Sequence, residues 1–336
     1  MPNFDDKRVT RIQAAHIALL HQPQAQGATI SDFKTSAQHP CPKPVPTKRD
    51  APSPASERPG KATRLICPNS QRPDTMKWEG SIDTSLPVQD GSPWDTFRKY
   101  YECDLAGPVA VSVRISGDRA VRAIRQYPKE DSEQVLQALR SLRHRNLASI
   151  VEIYRFSNSI YTLSNFDPLV LDHIVACKAF PNEQELAAIM SQLIAGLSYL
   201  MARSFHHPSL ICSNVLMNLH GELKIGCIDS CVIREFGSLE PDDLAPVSRI
   251  MMELMQKYVK DDGVVGIDNL DRWRSSPAAI EFLCATTSVS SFAELQEQRL
   301  LTEIPNCPGD LIGLAWFALI SARTFYSYTP RPDAAD

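Results

Sequence analysis

The strongest periodic signal lies in NEQELAAIMSQLIAGLSYLM, residues 182–201. Apolar residues fall at 186, 189, 190, 193, 194, 197, 200 and 201, one wide stripe at helical spacing. The pattern predicts a well-buried helix. Asn182 followed by Glu185 matches a capping box and marks its start. Upstream, AVSVRI (110–115) and AVRAIRQY (120–127) read as strands separated by a turn at SGD. SEQVLQALRSL (132–142) places Val135, Leu136, Leu139 and Leu142 at helical spacing, and IVEIYRF and SIYTLSNF read as two further strands. Residues 94–166 therefore predict a small sheet with one helix inserted. After the long helix come a loop, HPSLICSN (207–214), and two short strands, VLMNL and ELKIG, around the turn HG. Helical patterns follow at 243–258, 276–286, 291–300 and 310–325.

Residues 1–93 are different. PCPKPVPTKRDAPSPASERPGKATR is rich in Pro, Ser, Ala and basic residues. Such a stretch cannot bury enough apolar area to offset its ordering entropy, so a disordered tail is expected. Within it, RVTRIQAAHIALLHQ (8–22) reads as a short helix, transient or partner-binding. KPVP and SPAS read as linker or as weak docking patterns. The net charge of −4 gives no global field that favours nucleic acid or an anionic membrane. Nine cysteines show no paired framework and no zinc spacing. The N-terminus MPNFDDKR lacks a secretory pattern, so an intracellular protein, cytoplasmic or nuclear, is expected. The run LIGLAWFALISA (311–322) is too short to span a bilayer, and no membrane span is expected.

The order of a strand-rich lobe, long buried helix, loop, hairpin and further helices resembles a eukaryotic protein kinase. The resemblance covers about 94–325. Its strongest piece is ELAAIMSQLIAGLSYLMARSFHHPSLICSNVLMNLHGELKIG. In kinases a similar helix leads into H-R-D-x-x-x-x-N and then D-F-G. Here His207 sits seven before Asn214, as that motif requires, and LRHRNLASIVEIYRF looks like the kinase segment after helix C. The resemblance implies an α+β, two-lobed fold. A β-rich N-lobe with one helix would span 94–166, and a helical C-lobe 167–330.

The residues for phosphoryl transfer depart from the family pattern. The catalytic Asp falls on Ser209, whose hydroxyl cannot accept a proton at neutral pH without its own base. The loop Lys falls on Ile211 and the D-F-G Asp on Cys227, a thiol ill suited to magnesium. Asn214 is kept, either as a weak metal ligand or as a pin for the loop. Asp229 lies two residues late for D-F-G and is the other weak metal candidate. The strand Lys falls on Arg125, read as a phosphate ligand or as a solvated strand residue. Its helix C Glu partner falls near Val135, with Glu133 two positions off. Of the glycine-rich loop only Gly107 matches, and Glu102 and Asp104 take the other glycine positions, where carboxylates repel a triphosphate.

By the same resemblance Val109 and Ala123 would line the top of an adenine slot and Leu216 its floor. Leu139, Ile228 and His207 would join the lobes, and Asp243 would hold the loop from helix F. Asp243 and Glu253 lie ten apart, as in helix F, but only fourteen positions separate Asp229 from Asp243. That is too short for a full activation segment, and nothing resembles A-P-E. Cys227 reads as a small core residue or a reactive thiol. The sequence leaves open whether the slot is empty or filled by side chains such as Phe166 or Met217. The expected function is that of a pseudokinase, catalytically dead, that binds an unidentified protein partner. An ATP-binding switch or residual Ser/Thr kinase activity is the alternative. No cofactor is assured, and ATP is conceivable without a secure magnesium site.

Overall fold

The structure, a computed structural model, describes residues 86, 88–128, 132–233, 241–258 and 263–323. The helix expected at 8–22 and nearly all of the expected tail lie outside the described residues.

Six strands form the first layer: β1 (Val88–Asp90), β2 (Phe97–Asp104), β3 (Pro108–Arg114), β4 (Val121–Pro128), β5 (Ile150–Phe156) and β6 (Ser159–Asn165). Their order is β1-β5-β6-β4-β3-β2. β1 pairs parallel to β5, with Val88 opposite Ile153, and the other pairings are antiparallel. The ordered sheet thus begins before residue 94. β2 escaped the periodicity because only Phe97 of its eight residues is buried. It is an edge strand with exposed side chains on both faces, so no alternation marks it, and its register slips between Lys99 and Tyr101.

Helix α1 (Ser132–Ser141) packs between this sheet and the rest. Leu136 faces Ile153 and Ile160 of the sheet. Val135 and Leu139 join the main core, together with Leu142, Leu147 and Ile228. One apolar core therefore runs through both lobes.

The C-terminal lobe is built on α3 (Glu183–Ala202), preceded by β7 (Leu169–Val170) and α2 (Leu171–Ala176). The capping box is formed: Asn182 Oδ1 accepts from Glu185 N at 2.9 Å, and Glu185 Oε2 accepts from Asn182 N at 2.7 Å. Among the described residues α3 alone is long and apolar enough to cross a membrane, but 61% of its most apolar window is buried in the core. Around it stand β8 (Phe205–His206), the hairpin β9 (Val215–Met217) and β10 (Leu223–Ile225), and β11 (Val232–Ile233), which pairs with β8. Helices α4 (Pro241–Gln256), α5 (Pro277–Ala285), α6 (Phe292–Gln296), α7 (Arg299–Thr302) and α8 (Ile312–Arg323) complete the lobe. The single helix expected at 291–300 is split in two. Gln298 is extended at φ −65°, ψ 146°, which ends α6 and starts α7.

Candidate functional site

The cleft between the lobes is shaped by the loop joining β2 to β3. Ala106 and Gly107 take φ of +55° and +96°, and Gly107 N donates to Asp104 Oδ1 at 2.9 Å. These values turn the loop downward into the cleft. Leu105 and Ala106 are 6% and 2% exposed, in one cluster with Val109, Ala123, Val170 and Leu216. Phe166 and Cys227 border that cluster, whereas Met217 lies in the main core. Ala106 reaches the far wall: a Cβ placed on Gly226 would stand 2.6 Å from Ala106 Cβ. Cys227 Sγ donates to Ala106 O at 3.2 Å. Gly226 is therefore required by close approach, a role that no local motif announced.

Arg125 holds the loop in place. Its Nη2 donates to Leu105 O at 3.1 Å, and its Nη1 lies 2.5 Å from where a Cβ on Gly107 would be. Arg125→Ala removes this clasp while leaving the strand. Urea unfolding should show a loss of about 1 kcal/mol, the usual worth of one partly solvated hydrogen bond.

Below the loop, Cys227 adopts φ 48°, ψ 38°, and a 3-10 turn follows at Ile228–Ser230. That turn carries Asp229 toward Tyr127, whose hydroxyl donates to Asp229 Oδ1 at 3.1 Å. Burial first, then the Asp229 charge, pushes the Tyr127 phenol far above its ordinary range. Burial also raises the Cys227 thiol, against the opposing pull of Arg125. Cys227 is thus a protonated, half-buried thiol at neutral pH.

The loop 207–214 is pinned at several points. His207 is buried, and its Nε2 bonds Gly226 O at 3.0 Å. A carbonyl partner places the proton on Nε2, and Nδ1 is buried without a partner. Burial holds its pKa below the ordinary value, so the ring is neutral. Asn214 Nδ2 donates to Ser209 O at 2.7 Å, and Gly226 N donates to Asn214 O at 2.8 Å. His206 Nδ1 lies 2.6 Å from Asp243 Oδ1, which ties β8 to α4. Ser209 and Ile211 are exposed.

No protein-family model matches the chain. Among curated proteins, it is 27% identical over 207 residues to Cyclin-dependent kinase 12 of Caenorhabditis elegans, 56% of this chain and 26% of that protein. It is 31% identical over 101 residues to Cyclin-dependent kinase 12 of Drosophila melanogaster, 27% of this chain and 9% of that one. Serine/threonine-protein kinase SSN3 of Eremothecium gossypii is 31% identical over 105 residues, 30% of this chain and 18% of its own. With the two-lobed fold these decide the class. The chain carries a protein-kinase-like domain. The match spans about a quarter or less of each relative's length.

Within this kinase-like domain, the structure brings Gly107, Val109, Ala123, Arg125 and Leu216 together at one cleft, with Cys227 and Asn214 at its floor. The donor set does not fit a magnesium nucleotide. Leu105 and Ala106 occupy the apolar slot, the Arg125 guanidinium is engaged by a backbone carbonyl, and Asp229 accepts from a phenol. The Glu133 side chain lies outside the described ones. A second feature of the domain was missed in the sequence. Gln192, beside the apolar stripe of α3, is 4% exposed. Its Oε1 accepts from Leu223 N at 2.9 Å and Asn146 Nδ2 at 3.3 Å, and its Nε2 donates to Gly221 O at 3.0 Å. Gln192 lies outside the apolar stripe, so the sequence carried no local signal for this network.

Proposed function

We propose that this protein is a pseudokinase: a kinase-like platform that binds another protein and transfers no phosphate. The observation that carries this reading is the occupation of the cleft by Leu105 and Ala106, clasped by Arg125 and Cys227. The residue types at the catalytic positions support it. Ser209 cannot act as a base, Ile211 carries no charge, and Cys227 is a neutral thiol where a metal carboxylate would stand. Packing across the lobes is retained through Leu139, Ile228 and His207, so the domain keeps a defined surface. Cys103, Cys177, Cys212, Cys227, Cys231 and Cys284 are free thiols, which suits an intracellular, reducing setting.

The test is a phosphoryl-transfer assay with labelled ATP, magnesium and generic protein substrates, run on the full chain and on Ser209→Ala. The expected result is the same background for both. Labelling by the wild type above that control would overturn the reading.

A further inference from the structure

Away from the cleft, three elements distant in sequence bring chemically distinct side chains to one point. Asp172 stands in the first turn of α2, Cys212 begins the 3-10 turn of the 207–214 loop, and Glu253 lies in the last turns of α4. One ligand atom from each falls within 4.8 Å of the others. We propose that Asp172, Cys212 and Glu253 form a binding site for a zinc-class divalent cation, which staples the vestigial catalytic loop to α2 and α4.

The local charge balance is the independent argument. Cys212 and Glu253 are 1% and 6% exposed, and among the described residues two cations act on the group. Arg249 Nε donates to Glu253 Oε1 at 2.9 Å and leaves Oε2 free of it, whereas Lys257 Nζ donates to the Ile174 and Ala179 carbonyls at 2.6 and 2.8 Å. Asp172 makes no hydrogen bond or ion pair with a described residue, and Asp104 adds a further negative charge from the sheet side. Two carboxylates and a thiol thus share a partly desolvated space with one guanidinium in ion-pair contact and one ammonium held by backbone carbonyls. The Cys212 thiol hydrogen-bonds the Glu253 carboxylate, so the two buried donors already meet.

The ligand class follows from the donors. A thiolate with two carboxylates suits a borderline cation such as Zn²⁺, whereas magnesium and calcium take oxygen ligands. Three protein ligands leave one tetrahedral position for water. Asp172 is at the surface and gives the ion an entry path. On binding, the Cys212 S–H bond breaks, a metal–sulfur bond forms, and the proton leaves to solvent. Affinity therefore rises with pH across the neutral range.

The test uses the full chain, kept reduced with a phosphine and titrated with Co²⁺ alone. A thiolate-to-cobalt charge-transfer band in the near ultraviolet should appear and saturate at one equivalent. It should vanish in Cys212→Ser, a near-isosteric change. Asp172→Asn is a surface change that preserves folding. It should weaken binding by more than the roughly ten-fold that loss of even an outer-shell partner brings. Thermal melts of both variants check the fold, and if Cys212→Ser is unfolded, Asp172→Asn decides alone. Absence of the band in the wild type overturns the proposal. So does its persistence in folded Cys212→Ser, which assigns it to thiols such as Cys227 and Cys231, and so does unchanged affinity in Asp172→Asn.

Discussion

Gln192→Leu should unfold the domain far more readily than its conservative volume suggests, by about 3–5 kcal/mol. The Gln192 amide satisfies Leu223 N, Asn146 Nδ2 and the Gly221 carbonyl, with Ala188 O also accepting from Nε2 at 3.2 Å. Leucine fills the space and answers none of them. Each buried group left without a partner costs roughly 1–3 kcal/mol, and Asn146 Nδ2 keeps only its bond to Leu223 O at 3.0 Å. Gln296→Leu is the control, because Gln296 is exposed and its one bond to Ser198 spans 3.5 Å. Its effect should stay within about 0.5 kcal/mol. Urea midpoints of the two variants give the comparison, and equal midpoints would remove the network from the account.

Gly221→Ala should be the second large loss, about 3 kcal/mol or more. Gly221 has φ +80°, and a Cβ there would stand 1.9 Å from Pro308 O and 2.9 Å from Leu311 Cβ. The first obstacle is backbone, which cannot swing aside as the end of a side chain does. Left-handed backbone costs alanine roughly 1–2 kcal/mol, and overpacking adds roughly 1–3. Gly117 separates the two causes: its φ is +85°, but nothing lies within 4 Å of its Cβ position. Gly117→Ala should therefore show only the backbone cost, about 1 kcal/mol. Equal losses at both positions would mean that the contact with Pro308 contributes nothing.

What the sequence could and could not reveal divides along physical lines. The helical stripe of α3, the capping box at Asn182 and the seven-residue interval from His207 to Asn214 are local patterns. They place the long helix, the loop and the hairpin. β2 was hidden because exposure on both faces erases the alternation that periodicity needs. The collapse of Leu105 and Ala106 was hidden for a different reason. It depends on Gly226 and Cys227, more than a hundred residues away, making room for Ala106. Arg125 illustrates the same limit. Its sequence position offered a phosphate ligand or a solvated side chain, and the structure gives it Leu105 O instead. Glu253 was legible as a marker of its helix, but its meeting with Asp172 and Cys212 is a tertiary fact.

The central claim is that the kinase-like cleft is filled by its own loop. The most direct measurement is the thermal unfolding of the full chain across an ATP series to millimolar concentration, with and without magnesium. A ligand at 100 times its dissociation constant would add about 2.7 kcal/mol and raise the midpoint by several degrees. The account predicts no shift in either series. A saturable upward shift with ATP would contradict it, since nucleotide could then enter only by displacing Leu105 and Ala106.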